Sequence, residues 1–235
     1  MIGCSNSNKG DDQMDGLRLD RSLTLNYSEL SESTYNLMIG GLLLYGFAAN
    51  ALICALFGDL FYYAGGGAFG IFLVIYILCV VLSVILSSSH SAVVNFIAYN
   101  LLVLPIGILL SLAVAPVSMT VVRSALIGTA VFVVAMIAIS SARPDFFLSM
   151  GSTLRVSLIA TIIAELVLML LGFGTSLLDY LVVAIFSMYL GFDWARANQC
   201  APTARNAILS ATQIYLDIVN IFIRLLSILS KNRRR

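Results

Sequence analysis

Asp193 and Asp217 stand where acids are rare, inside consecutive long apolar stretches of the chain. An ionised carboxylate in hydrocarbon costs about 3 kcal/mol on insertion scales and more in simulations, so an acid kept there marks a pathway or a relay. Two that face each other would form a proton-sensitive switch, because carboxyls at hydrogen-bond distance do not easily both ionise and titrate as a unit over one shared proton. The last apolar stretch holds more polar chemistry. Gln213, Asp217, Asn220, Arg224 and Ser227 recur at spacings of 4, 3, 4 and 3, one stripe of an α-helix. Such a stripe faces the bundle or a water-filled cavity rather than lipid, which predicts a central last helix wrapped by the others. For Gln213, Asn220 and Ser227 the plainer reading is hydrogen-bonded helix glue, worth roughly 0.6 kcal/mol each. Asp217 costs too much for glue alone.

Asp193, in LGFDWARA, has a bland alternative as an interfacial acid paired with Arg196 three residues on. Glu165, in TIIAELVLML, reads either as a second proton-binding acid on the pathway or as a neutral buried acid satisfied by a backbone carbonyl. It is also the candidate partner of Arg224, which lies two turns beyond Asp217, about 10 Å along the axis and out of that acid's direct reach. Asn95 and Asn100 read as helix glue, and Pro105 frees a backbone carbonyl in its helix. His90, the single histidine, stands in the serine-rich break Ser87 to His90.

The elements that must hold these residues follow from composition. A hydrophobic share of 60% with 11% charged residues and a mean hydropathy of +0.99 lies far from soluble domains, which carry about 25% charge. This is an all-α integral membrane protein, a seven-helix transmembrane bundle, with the lipid bilayer as its first partner. Spans of about 20 residues are predicted at 35–57, 68–87, 92–113, 119–140, 154–173, 177–195 and 206–229. Breaks fall at Gly65 to Gly67, Ser87 to His90, Pro116, Pro144 with Asp145, Gly172 to Gly174, and Pro202. Residues 1–34, with six acids against Lys9, Arg18 and Arg21, read as a disordered polar tail. The span that follows is long enough to be a retained helix rather than a signal peptide. Residues 35–229 form the transmembrane domain and 230–235 a basic C-terminal tail. Arg143, Arg196, Arg205 and the basic residues of the N-terminal tail share one side of a seven-span layout, so the positive-inside rule places the N-terminus in the cytoplasm. The net charge of +1 with no basic stripe gives no footprint for nucleic acid. Cys4, Cys54, Cys79 and Cys200 share no metal-type or CxxC spacing, so no disulfide framework is expected.

The string IYLDIVNIFIRLLSIL, Ile214 to Leu229, resembles the C-terminal signature of the transmembrane Bax inhibitor motif family. Phe192-Asp193 at the end of the sixth span and Ala142-Arg143-Pro144-Asp145-Phe146 before the fifth are similar to two further family elements, so the resemblance covers about 35–229. It implies six helices bracketing the seventh, in bacterial cytoplasmic membranes or in internal membranes of eukaryotes. It implies a pH-sensitive calcium leak in which Asp193 and Asp217 pair near the cytoplasmic mouth, binding calcium transiently as the transported ion, with no resident cofactor. Losing the shared proton would separate like charges and leave hard oxygen ligands suited to calcium. Some bacterial relatives lock the pair with an arginine at the end of the second span; the serines here cannot, leaving His90 either as a pH-dependent substitute or as a solvated loop residue. The family's late arginine in span seven aligns with Ser227, with Arg224 one turn earlier, and Trp194-Ala195-Arg196 stands where relatives carry Thr-Gln.

The competing function is a non-conducting regulator of stress or cell-death responses that binds other membrane proteins. An enzyme is not expected. An intramembrane aspartyl protease wants Gly-x-Gly-Asp at its second acid, where this chain reads Tyr215-Leu216-Asp217, and one histidine with no HExxH or GxSxG argues against zinc and serine chemistry.

Overall fold

A computed structural model describes residues 30–63, 65–171 and 176–232 of the chain. Most of the segment read as an N-terminal tail, residues 1–29, and the last three residues of the basic tail lie outside the described residues. Among the described residues the secondary structure is helical throughout: α1 (Glu32–Tyr63), α2 (Gly65–Leu86), α3 (Ala92–Val114), α4 (Met119–Ala142), α5 (Pro144–Ser149), α6 (Gly151–Leu170), α7 (Ser176–Ala197) and α8 (Ala204–Asn232). All except α5 are long and apolar enough to cross a membrane. The helical answer is forced by solvent, because a chain in hydrocarbon must satisfy every backbone N–H and C=O within its own segment.

Most helix ends lie a few residues from the predicted ones, α1 beginning at Glu32 inside the segment read as tail and α8 running on to Asn232, and two of the breaks differ for a local reason. The loop at 141–153 holds the extra helix α5. Proline breaks a helix interior but suits its first turn, and Pro144 opens α5 with Asp145 beside it at the positive end of the helix dipole. Gly65 to Gly67 form the first turn of α2 rather than a loop.

The helix α8 packs along α1, α3, α4 and α7, while α2 packs on α3, and α6 on α5 and α7. Its two faces feed two apolar cores. Ile214 and Ile221 join Ile39, Phe147 and Leu190 in one; Tyr215 and Phe222 join Tyr99, Val103 and Ala125 in the other. Only 6% of the apolar window of α2 is buried, against 50% for α8 and 61% for α7, so α2 presents its side chains to lipid and α7 and α8 carry the interior. Exposed Ile71, Leu78, Ile127, Val134, Ile159 and Leu170 fit that solvent.

Polar ties join one end of the bundle. Leu30 N–H donates to Pro202 O at 2.7 Å, Tyr35 Oη to Ala197 O at 3.1 Å, and Arg205 Nε to Ser89 O at 2.9 Å. The entry to α1, the α2–α3 turn and the α7–α8 loop therefore share an end, as odd and even spans in alternation require. Nearer mid-helix, Gly46 lets α1 approach Tyr99 and Tyr215, since a Cβ there would overlap the Tyr99 hydroxyl. Cys54 and Cys79 are free thiols, whereas Cys200 is disulfide-bonded, which corrects the expectation of no disulfide framework.

Candidate functional site

Asp193 sits in the last turns of α7 and Asp217 halfway along α8, 7% and 4% exposed. The packing of α7 on α8 brings their carboxyl groups into hydrogen-bonding contact. Ionised carboxylates only accept, so a hydrogen bond between the two requires a proton on one of them. The outer oxygen of Asp217, Oδ2, is buried without a hydrogen-bond partner among the described residues. The pair lies in the wall of a cavity of about 560 Å³, together with Gln213, Asn220, Tyr189 and Arg155 and, from the end of α2, Ser83 and Ser87.

The turn that carries Asp193 is held from three sides. Ser140 Oγ donates to Gly191 O at 2.6 Å, and Trp194 Nε1 donates to Ser141 Oγ at 2.9 Å. Phe147 of α5 lies flat against Gly191, where any Cβ would overlap its ring, and that ring is 1% exposed and has nowhere to go. Gly191→Ala should therefore cost about 1 to 3 kcal/mol through overpacking, read as a lower thermal unfolding midpoint in detergent. An unchanged midpoint would show that α5 can retreat from α7. Asp217 is placed from the other side: Tyr215, two residues earlier, is fully buried and accepts a hydrogen bond from Asn50 Nδ2 of α1 at 2.5 Å.

The remaining residues of the α8 stripe divide between two places. Asn220 lines the cavity and donates to Leu216 O within its own helix at 2.8 Å, and Gln213 lines the cavity as well. Arg224, one turn beyond Asn220, belongs to an ion cluster instead. Its Nη1 lies 2.6 Å from Glu165 Oε1 of α6 and 3.0 Å from Asp179 Oδ1 of α7, and its Nη2 donates to Glu165 Oε2 at 2.9 Å. Asp179 Oδ2 also accepts from Ser227 Oγ at 3.1 Å and from Lys231 Nζ at 2.8 Å. Glu165 is thus the partner of Arg224 that the sequence reading offered, rather than a neutral acid bonded to a backbone carbonyl. Asp179 was missed as a partner. The signal was present, since Arg224, Ser227 and Lys231 continue one helical face at spacings of 3 and 4 beside a helix that starts with an acid. His90 is exposed in the α2–α3 turn and is absent from the cavity lining, where α2 contributes serines. Among the described residues no group of three or more His, Cys, Asp or Glu forms a metal centre.

Among the described residues, seven helices of membrane length, with a buried carboxyl pair between α7 and α8, define an integral, multi-pass membrane protein. The chain belongs to the family described as inhibitor of apoptosis-promoting Bax1 (Bax1-I), whose profile matches residues 28–234. No curated protein matches the chain, and no solved structure does.

Proposed function

We propose that this protein is a pH-sensitive cation leak for calcium, gated by Asp193 and Asp217. The observation that carries the reading is the contact of two buried carboxyls in the wall of a mainly apolar cavity that a few polar side chains, Gln213, Asn220 and Arg155 among them, also line. With one proton between them the pair bears a single negative charge and holds α7 to α8. Loss of the proton adds a second charge at the same spot, which drives the carboxyls apart and raises the attraction for a cation. Flux should accordingly rise as pH rises. Along α8 the cavity lining ends at Asn220 and the Arg224 cluster follows one turn on, so passage to the far end would have to go by those side chains.

Calcium entry into proteoliposomes of the purified protein, followed from pH 6 to 8, tests the reading. A flux that rises with pH supports it. No calcium movement at any pH would put the non-conducting regulator in first place, and co-purification of other membrane proteins would then be the next measurement.

The orientation we propose sets the basic loops on the cytoplasmic side, with the N-terminus there and the C-terminus opposite. Single cysteines placed at 87–91, 143–150 and 198–203 in a background lacking the four native ones should label from the cytoplasmic face, and those at 115–118 from the other. Labelling of 115–118 and 143–150 from the same face would remove a span.

A further inference from the structure

A second cavity, of about 660 Å³, lies on another face of α8, between α1, α3 and α4. The helices α1 and α4 pack on α8 rather than on each other, which leaves a groove between them with Ile218, Val219 and Phe222 as its floor. Its rims face lipid: Ala51 and Ala55 on α1, and Met119, Leu126, Ala130 and Val134 on α4, are all exposed. The polar groups in its wall are turned to protein. Asn50 Nδ2 donates to Tyr215 Oη and its Oδ1 lies against Gly107 of α3, while Thr129 Oγ1 donates to Ala125 O at 2.8 Å. An occupant therefore meets hydrocarbon. The groove follows α4 from Met119 to Val134, about 22 Å of rise, starting beside the α3–α4 turn at the end of the bundle opposite Asp193. Arg123 stands on the same stripe, at spacings of 4 and 3 between Met119 and Leu126. It is exposed one turn inside the span and forms no ion pair among the described residues, and Asp179 at that end is taken by Arg224 and Lys231. A long basic side chain in that position carries its charge out to the headgroups while its stem stays in hydrocarbon.

We propose that this groove holds one acyl chain of an anionic phospholipid from the leaflet at the α3–α4 turn, with the lipid's phosphate against Arg123. The lengths agree: from Arg123 to Val134 the helix rises about 16 Å, close to the ~15 Å of one leaflet in a core of about 30 Å. Lipid tails are as apolar as leucine, so filling the groove gains nothing from the release of water. What a chain gains is dispersion contact with the groove's walls and floor at once, where a smooth helix face offers contact on one side. That gain is blind to the headgroup. Selection comes from the charge at the mouth, where a guanidinium fork matches phosphate oxygens in pairs and a zwitterionic headgroup sets its own ammonium against it. The seated chain bridges α1 and α4 across α8, in the place where the protein supplies no packing between them.

Photocrosslinking of the full chain in phosphatidylcholine vesicles tests the site without reference to ion flux. Phosphatidylglycerol bearing a diazirine midway along one chain should label the groove residues of α1, α4 and α8 about fivefold more than phosphatidylcholine bearing the same group, the ratio expected for one basic residue at the headgroups. In Arg123→Gln the two lipids should label the groove equally. In Arg143→Gln, which removes an exposed arginine at the other end of α4, the ratio should stand. Phenylalanine at two exposed rim positions, Ala51→Phe/Ala130→Phe, should fill the groove and lower its labelling by either lipid to that of Ile71 and Leu78 on the lipid face of α2. Equal labelling of the wild-type groove by the two lipids overturns the proposal, whatever the folding of the variants. So does a ratio that survives Arg123→Gln, or wild-type groove labelling no higher than that of α2.

Discussion

Proteoliposomes carrying Asp217→Asn should pass calcium at a rate that no longer follows pH. Asparagine keeps the shape of the side chain and can donate to Asp193 from Nδ2, so the contact between α7 and α8 survives, but the shared proton is gone. With a single titrating proton the wild-type flux can change by at most about tenfold per pH unit, and this dependence is what the substitution removes. Asp193→Asn should flatten the response as well. The two variants should differ in level: Asp217 lies deep in α8, where a lost negative charge weakens cation attraction most, while Asp193 near the mouth bears more on gating. The measurement is calcium uptake across pH 6 to 8 for wild type and both variants. Wild-type flux and wild-type pH response in both variants would sink the switch.

The largest stability effect should come from Arg224. Its guanidinium serves Glu165 and Asp179 at once, from two other helices, and removing one partner of a buried pair costs about 3 to 5 kcal/mol because a charge is left uncompensated. Arg224 and Glu165 are about a quarter exposed, at 26% and 24%, and Asp179 keeps Lys231 and Ser227, so about 2 kcal/mol is the better expectation for Arg224→Gln. Glu165→Gln in the same background should then cost little more, since its partner is already absent. A double-mutant cycle read by thermal unfolding in detergent should give a coupling of about 1 to 2 kcal/mol. Strictly additive losses would mean that the ion cluster contributes nothing to holding α6 and α7 against α8.

The spans were legible in the sequence because bilayer thickness leaves the chain little choice: runs such as Ile71 to Leu86 and Ala92 to Val114 can only cross. The α8 stripe was legible for the same reason in reverse, since Asp217 and Arg224 on one helical face cannot both meet lipid. Partnership across helices was legible in part: Glu165 was named as the partner of Arg224 and the two pair, whereas the role of Asp179 was not read. Asp179 looked like an acid at a span end, yet α7 delivers it to Arg224 and Lys231. Arg155 lies ten residues before Glu165 on α6, and nothing in that spacing says that it lines the acid-pair cavity. The helix α5 was hidden by Pro144, which signals a break and an N-terminus with the same residue. Gly191 gave no periodic signal either, because its value lies in a ring from a neighbouring helix.

The depth of the cavity also bears on electricity. Its wall follows α8 from Leu209 to Asn220, about 16 Å of rise, or roughly half of a 30 Å hydrocarbon core. Water drawn to the carboxyl pair and Asn220 in this mainly apolar cavity would bring the aqueous phase inward, and the membrane voltage would then fall over the remaining half, where Arg224, Glu165 and Asp179 lie. An elementary charge crossing the full potential exchanges about 2.3 kcal/mol per 100 mV, here concentrated on a step between Asn220 and the ion cluster. A resting potential would therefore act on the closed end of the bundle with about twice the field of a uniform slab, making that half the voltage-sensitive part of the molecule.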